Sequence, residues 1–150
     1  MGIKPGQAAQ CSGNSPRQPV DVAAALLFRD GKLLITRRHA GAHLGGLWEF
    51  PGGKCETDET FEQCLARELR EELGIEVKVR ELIDSVTHDY PEKTVRLKFF
   101  RCEWRKHEPR ELGCAELKWI SCEQLAEHEF PEADARLLEK LRCSRELWSK

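Results

Sequence analysis

One segment near the middle of the sequence constrains the fold more than any other, because it specifies both ends of a helix. Thr60 and Gln63 have the spacing of a capping box, in which each side chain hydrogen-bonds to the other residue's backbone. This pair predicts a helix that begins at about Phe61. Gly74 is the residue type that most often follows the last helical position, so we predict that the helix ends at Leu73.

The same helix carries acidic residues in an unusual position. Its apolar side begins with three residues at helical spacing, which are Phe61, Cys64 and Leu65. Continued toward the C-terminus at the same pitch, this ridge reaches Glu68, Glu71 and Glu72. Like charges at these spacings repel, and burying an unpaired carboxylate costs several kcal/mol.

Two interpretations of this acidic cluster are open. It is a solvated face with Arg67 and Arg70 as ion-pair partners, or it is a site for divalent cations. The alignment of the glutamates with the apolar ridge favours the second interpretation. Ligation by oxygen alone suits hard ions such as Mg²⁺ or Mn²⁺, and Mg²⁺ is commonly shared between carboxylates and substrate phosphates. The cluster therefore indicates a polyphosphate substrate.

The segment from Gly53 to Ile75 resembles the Nudix box, G-x5-E-x7-R-E-U-x-E-E-x-G-U, in which U is an aliphatic residue. Each fixed position of that pattern is matched; the matching residues are Gly53, Glu59, Arg67, Glu68, Leu69, Glu71, Glu72, Gly74 and Ile75. The resemblance implies a hydrolase that acts on nucleoside diphosphates linked to another group, with Mg²⁺ held by the box glutamates and Mn²⁺ able to substitute.

Length and composition exclude several other classes of protein. A chain of 150 residues suits one domain with a real core. Its net charge of −2, with both signs mixed along the chain, predicts no binding of duplex nucleic acid. No apolar run is long enough to cross a membrane. The 7 cysteines include no CxxC pair and no secretory signal precedes them, so we expect reduced thiols in a cytoplasmic protein.

The order of elements predicts an α/β protein. Residues 1–19 are rich in Gly, Pro, Ser and Gln and predict a disordered tail, followed by one domain over residues 20–150. A hairpin with an Asp30-Gly31 turn, an expected longest strand from Thr94, and a last helix with Pro131 at its first position suggest a three-layer α/β/α sandwich. A mixed sheet of this kind is also what the Nudix fold implies.

Beyond the box, the stretches ITRRHAGAHLGGLWEFPGGK and EFPEADA resemble the MutT branch of the family. Carried over by position, the resemblance implies metal ligation by the Gly52 carbonyl, Glu68, Glu71 and Glu72. It also implies that the substrate is bound by Lys54 at the phosphates and by Arg38, Phe50 and Asp134 at the base. The phase of Asp134 against the last helix's apolar stripe independently predicts that its side chain faces inward.

Two positions depart from the MutT pattern. Asp134 stands where MutT has an asparagine, which both donates and accepts hydrogen bonds, whereas an ionised aspartate only accepts. An ionised carboxylate suits guanine or the amino group of cytosine, while a protonated one would imitate asparagine. Gly113 stands where MutT has a loop glutamate, and either Glu111 or Glu116 could replace it.

These residues predict a Mg²⁺-dependent nucleoside triphosphate pyrophosphohydrolase that removes 8-oxo-dGTP from the nucleotide pool. Glu72, or else Glu71, is the expected base, while Arg67 braces the box through Glu59. One alternative is a CTP or dCTP pyrophosphohydrolase, and others are enzymes for ADP-ribose or dinucleoside polyphosphates. A different class, a lesion-reading module like the C-terminal domain of MutY, generally lacks the box glutamates. The sequence is compatible with a monomer or a homodimer.

Overall fold

The computed structural model describes residues 18–149. The predicted disordered tail over residues 1–19 lies outside this range except for its last two positions. Within the described range no helix is both long and apolar enough to span a membrane.

Regular structure begins at the predicted residue, Val20. The strands are β1 (Val20–Arg29), β2 (Lys32–Arg37), β3 (Trp48–Glu49), β4 (Gly52–Lys54), β5 (Glu76–Asp89), β6 (Thr94–Lys106) and β7 (Glu116–Ile120). The helices are α1 (Phe61–Leu73) and α2 (Ala135–Cys143), and single 3₁₀ segments cover Cys122–Glu127, Glu132–Asp134 and Arg145–Ser149.

The sheet is mixed, as predicted, because β1 pairs with β6 in parallel and all other described pairings are antiparallel. β1 is the central strand. Its first half pairs with β4 and its end pairs with β2. The β1–β2 connection is the predicted two-residue turn, in which Asp30 and Gly31 both have positive φ, at 53° and 77°. This arrangement brings the Gly52–Lys54 backbone against the start of the central strand.

Alternate residues of β1 enter two separate cores, one on each face of the sheet. Ala23, Ala25 and Leu27 pack with the buried side of α1, whereas Ala24 and Leu26 pack with α2. Each face of a central strand that is buried in this way must be apolar, which explains the unbroken apolar run of β1. The predicted three-layer α/β/α sandwich is therefore confirmed.

The predicted ends of α1 are also confirmed. Thr60 and Gln63 form both hydrogen bonds of the capping box, each at 3.0 Å. Gly74 has φ of 70° and donates its backbone N–H to the carbonyl of Arg70, which ends the helix. A residue with a side chain would be strained at this φ, so glycine is the favoured residue here.

Two predictions about the elements were wrong. β6 has 13 residues and is not the longest strand, because β5 has 14. β5 continues through a bulge, where its pairing register with β6 shifts between Val79 and Asp84. Pro131 is not the first residue of the last α-helix. It precedes the 3₁₀ turn Glu132–Asp134, and α2 begins only at Ala135. Asp134 is the last residue of this turn and therefore precedes the α-helix.

Candidate active site

A cavity of about 150 Å³ lies at the end of the sheet where β1 meets β4. Its walls come from β1, β4, the loop after β2 and the 3₁₀ turn before α2. The wall residues that matter for chemistry are Arg38, Glu49, Phe50, Gly53, Lys54 and Asp134. Sequence positions that are almost a hundred residues apart therefore face one space.

The carboxylate of Glu68 lies directly against the backbone of Gly53. A methyl group added at Gly53 would overlap that carboxylate, and one added at Gly52 would overlap the carbonyl of Ala23. The Gly52-Gly53 pair therefore permits close approach on both sides, to the central strand and to the helix. This contact places a box glutamate beside the end of the cavity that Gly53 and Lys54 line.

The carboxylate of Glu72 has a similar contact with a second glycine. A methyl group at Gly113 would overlap both carboxylate oxygens of Glu72. The loop is held there by the backbone N–H groups of Leu112 and Gly113, which donate to the Glu72 carbonyl at 3.1 and 3.0 Å. These bonds also satisfy a carbonyl at the end of α1 that has no partner within the helix.

Arg67 connects the box. Its guanidinium makes two hydrogen bonds with Glu59, at 2.7 and 3.0 Å, so the predicted salt bridge is confirmed. It also donates to Glu68 at 2.9 Å, to Glu71 at 3.2 Å and to the carbonyl of Lys54 at 3.1 Å. The hydrogen bonds from Arg67 lower the pKa of Glu59 to about 2. The loop and the helix are thereby joined through one side chain.

The three glutamates of the acidic cluster do not share one environment. The Glu68 side chain is 16% exposed, whereas that of Glu71 is 58% exposed. The buried side of α1 continues from Leu65 to Leu69 and Leu73, so the predicted alignment of all three glutamates with the ridge was wrong for Glu71. Glu68 and Glu72 flank the ridge, and Glu71 faces solvent.

Burial raises the pKa of both Glu68 and Glu72. For Glu68 the hydrogen bond from Arg67 opposes this rise, while for Glu72 the negative charge of Glu71 adds to it. Carboxylates that are partly removed from water and close to like charges are stabilised by a cation. This set of oxygen donors fits a hard divalent ion in its chemistry.

The side chains are not arranged as a finished metal site in the protein alone. Within residues 18–149, no three His, Cys, Asp or Glu side chains are grouped so that they could hold an ion as they stand. The carboxylates of Glu68 and Glu71 form ion pairs with Arg67, so the guanidinium neutralises them in place of a metal ion. An ion would therefore compete with Arg67 for these oxygens.

At the opposite end of the cavity, Asp134 is buried, with 4% of its surface exposed. Its predicted inward direction is thus confirmed. Burial raises its pKa to about 7, and the negative charge of Glu49 adds to the rise. Among the described residues no cation lies within ion-pair distance of this carboxyl. Asp134 therefore changes charge close to neutral pH.

Phe50, Arg38 and Lys54 all line the same cavity. Phe50 stacks on Phe130 with ring centres 5.1 Å apart, which makes it a rigid apolar wall. Arg38 is already engaged, because it donates to the His43 carbonyl at 2.6 Å and to Glu49 at 3.1 Å. Lys54 is exposed at the end of the cavity that lies next to Gly53.

Each candidate replacement for the loop glutamate has a partner outside the box. The carboxylate of Glu111 accepts a hydrogen bond from the backbone N–H of Leu117 at 3.1 Å. Glu116 lies 3.6 Å from Arg37. Both carboxylates are therefore occupied by other partners in this conformation.

Glu49 is the site residue that sequence reasoning missed. It pairs with Arg38 in the wall of the cavity, and its burial raises its pKa. The negative charge of Glu72 adds to the rise in the pKa of Glu49, and the negative charge of Glu49 raises the pKa of Asp134. Glu49 therefore interacts electrostatically with both ends of the site. No signal in the sequence singles it out, because a charged residue between two apolar ones is the ordinary alternation of a half-buried strand.

Comparison with known proteins agrees with this geometry. The NUDIX domain pattern matches residues 22–140. The chain belongs to the NUDIX domain family. Helix α1 of this NUDIX domain carries the box residues from Arg67 to Glu72.

Among relatives of this NUDIX protein is an "8-oxo-dGTP diphosphatase" from Proteus vulgaris, 38% identical over 108 residues, or 71% of this chain and 96% of the relative. A "CTP pyrophosphohydrolase" from Escherichia coli (strain K12) is 39% identical over 125 residues, or 80% of this chain and 89% of the relative. The crystal structure of a MutT protein from Methanosarcina mazei Go1 superposes with a TM-score of 0.77 at 26% identity, covering 87% of this chain and 98% of that one.

Proposed function

We propose that this NUDIX protein hydrolyses a nucleoside triphosphate to the monophosphate and pyrophosphate, with 8-oxo-dGTP as its preferred substrate. The observation that carries this proposal is the cavity itself. It extends from Gly53 and Lys54, beside the box glutamates, to the buried Asp134. A nucleotide placed with its phosphates at the first end presents its base to the second. Removal of oxidised nucleotides would then be a role in the cytoplasm.

Each end of the site has a distinct task in this reaction. Lys54 contacts the phosphate oxygens, and the Gly52 carbonyl with Glu68, Glu71 and Glu72 would hold Mg²⁺ or Mn²⁺. The ion, when bound, neutralises phosphate charge and lowers the pKa of water. Glu72, which is less involved with Arg67 than Glu68 and Glu71 are, accepts the proton of the attacking water. Arg67 keeps the box glutamates in position and does not contact the reacting atoms.

Base recognition follows from the protonation of Asp134. When it is protonated, its carboxyl group both donates and accepts, as an asparagine does, and matches the adjacent O6 and N7–H of 8-oxoguanine. The pKa of about 7 makes this form available at neutral pH. Phe50 supplies the apolar wall beside the base, and Phe130 supports it by stacking on its ring and packing against the core.

A second candidate substrate is CTP or dCTP. Two observations favour it, namely the relative named as a CTP pyrophosphohydrolase and the carboxyl group at the base end of the cavity. An ionised Asp134 accepts a hydrogen bond from the amino group of cytosine. The two candidates therefore differ in the charge that Asp134 carries during binding.

Steady-state kinetics with 8-oxo-dGTP, dGTP, CTP and dCTP, followed by pyrophosphate release, test the proposal directly. We expect Mg²⁺-dependent turnover, with the highest kcat/KM for 8-oxo-dGTP. Glu72→Gln should reduce kcat by about 100-fold or more, since general-base catalysis contributes about 10²–10⁴. Near-native turnover in Glu72→Gln would refute its assignment as base. A chain that binds these nucleotides but hydrolyses none would instead be a reading module.

A further inference from the structure

The chain segment that carries Asp134 is held by one strand, β5. In the middle of β5, Asp84 accepts a hydrogen bond from Arg136 at 3.0 Å. The neighbouring Ile83 carbonyl accepts one from Lys140 at 2.9 Å. Both donors are on α2, so the first turns of that helix are attached to the strand.

The end of β5 continues these attachments toward the cavity. His88 lies 4.0 Å from Glu132. The hydroxyl group of Tyr90, just after the strand, hydrogen-bonds with the backbone of Ala133. Together with Asp84 and Ile83, these residues contact the chain on both sides of Asp134.

Asp84 is the unusual member of this set, because its side chain is only 4% exposed. Its Oδ1 accepts hydrogen bonds from Arg136 and from the backbone N–H of Ser85. Its Oδ2 is buried without a hydrogen-bond partner among residues 18–149. A buried carboxylate with incomplete hydrogen bonding is a poor source of stability. The bulge in β5 turns this residue toward α2, and bulges commonly redirect a side chain for a specific purpose.

We propose that Asp84 is a positioning residue for nucleotide selection. Its contact with Arg136 sets the start of α2, and this keeps Asp134 at the base end of the cavity. Arg136 is only two residues from Asp134, so loss of the contact frees the turn that aims the carboxyl group. The inference rests on the proposed contact between Asp134 and the base.

Two substitutions test this role. Asp84→Asn removes the charge and keeps the shape, while Arg136→Gln removes the guanidinium that hydrogen-bonds with Asp84 and leaves Lys140, 4.0 Å from the same oxygen, in place. The Arg136 side chain is 68% exposed, but its loss removes a charge partner from the buried Asp84, so Arg136→Gln should lose some stability. Lys140 remains beside that carboxylate, and denaturant unfolding checks that the variant folds. We expect KM for the preferred nucleotide to rise about three- to tenfold in both variants, with kcat within about twofold, as for other coupled contacts. The differences in kcat/KM among 8-oxo-dGTP, dGTP, CTP and dCTP should become smaller.

Arg142→Gln is the matched control, because Arg142 is also exposed on α2 and its ion-pair partner within residues 18–149 is Glu139 of the same helix. It should leave KM and base preference unchanged. In an Asp134→Asn background, Asp84→Asn should cause no further loss of discrimination, because both act through the same group.

The outcomes separate this inference from the proposed function. If Asp134→Asn changes base preference and neither Asp84→Asn nor Arg136→Gln does, the positioning role is overturned and the base contact stands. Fully additive effects of Asp84→Asn and Asp134→Asn would also overturn it. If Asp134→Asn leaves base preference unchanged, the base contact fails and the positioning role fails with it.

Discussion

At the scale of single residues, the site depends on where side chains are absent. Gly53 and Gly113 each leave the space in which a box carboxylate lies. The departure at Gly113 therefore has a physical meaning, because a side chain at that position and Glu72 in its present position exclude each other. The loop contributes backbone contacts to Glu72 in place of a glutamate.

Gly113→Ala should displace Glu72 from its position. We expect kcat to fall by about 10- to 100-fold, since a displacement of about 1 Å in a catalytic group has effects of this size. Mn²⁺ affinity, measured by electron paramagnetic resonance without substrate, should fall as well. Gly41→Ala is the control, because a methyl group there meets no atom within 4 Å. Unchanged Mn²⁺ affinity in Gly113→Ala would contradict the proposed placement of Glu72.

The charge of Asp134 should make base preference depend on pH. Below a pH of about 7 the carboxyl is protonated, and above it the group only accepts hydrogen bonds. We therefore expect the preference for 8-oxo-dGTP over dGTP and CTP to fall as pH rises from 6 to 8, by about tenfold at most from this group. Asp134→Asn should remove the dependence. A parallel decline in the variant would assign the titration to another group.

The same shift has a consequence for stability. The pKa of Asp134 is raised from its ordinary value of 3.8 to about 7 in the folded protein, so the folded state binds more protons between these values. Stability must then fall as pH rises from about 4 to 7, and the loss is complete above 7. Asp134→Asn should be more stable than the parent at pH 8, by about 2–4 kcal/mol at most. Denaturant unfolding at pH 5 and pH 8 measures this difference.

At the scale of elements, α1 is joined to its preceding loop through Arg67. This side chain contacts Glu59 in the loop, the backbone of β4 and two glutamates one turn or less away. A planar guanidinium can satisfy several partners at once, whereas an ammonium group is a single point charge. The helix and the glycine turn thus move as one unit.

Arg67→Lys should therefore weaken both the fold and the site. We expect the free energy of unfolding to fall by about 1–3 kcal/mol, the range for charged hydrogen bonds, and kcat to fall with it. Arg70→Lys, an exposed change on the same helix, is the control. A loss of kcat with unchanged stability would indicate that Arg67 contacts the reacting groups directly.

At the scale of the whole molecule, the cavity lies where the two helical layers meet the end of one sheet. α1 contributes the acidic end and the chain before α2 contributes the base end, so binding of metal and nucleotide should stabilise the entire domain. Mg²⁺ should raise the Tm, because a ligand at 100 times its Kd stabilises a protein by about 2.7 kcal/mol. EDTA should reverse the shift. Glu68→Gln with Glu72→Gln should abolish it, whereas Glu139→Gln on the other helix should not; a shift retained in the double variant would place the ion elsewhere.

Much of the fold was predictable because its signals are local. The capping box, the terminal Gly74 and the Asp30-Gly31 turn each act over a few residues, and the structure has all of them. The prediction at Pro131 was wrong because proline starts a 3₁₀ turn as readily as an α-helix. The prediction for Glu71 was wrong because helical phase identifies a side of the helix but not the width of the surface that the sheet covers.

The sequence by itself determined the family, the helix that carries the acidic box and the inward direction of Asp134. The first two follow from spacing along α1, which a helix converts directly into position. The inward side of Asp134 was predicted from the apolar stripe of α2, although the residue itself lies in the turn before that helix. Only the tertiary structure decided that Glu49 joins the two ends of the cavity, that Gly113 lies against Glu72, and that β5 holds Asp134 through Asp84 and Arg136. Such contacts join residues that are dozens of positions apart in the sequence. Their geometry depends on how the layers pack, which no local pattern specifies.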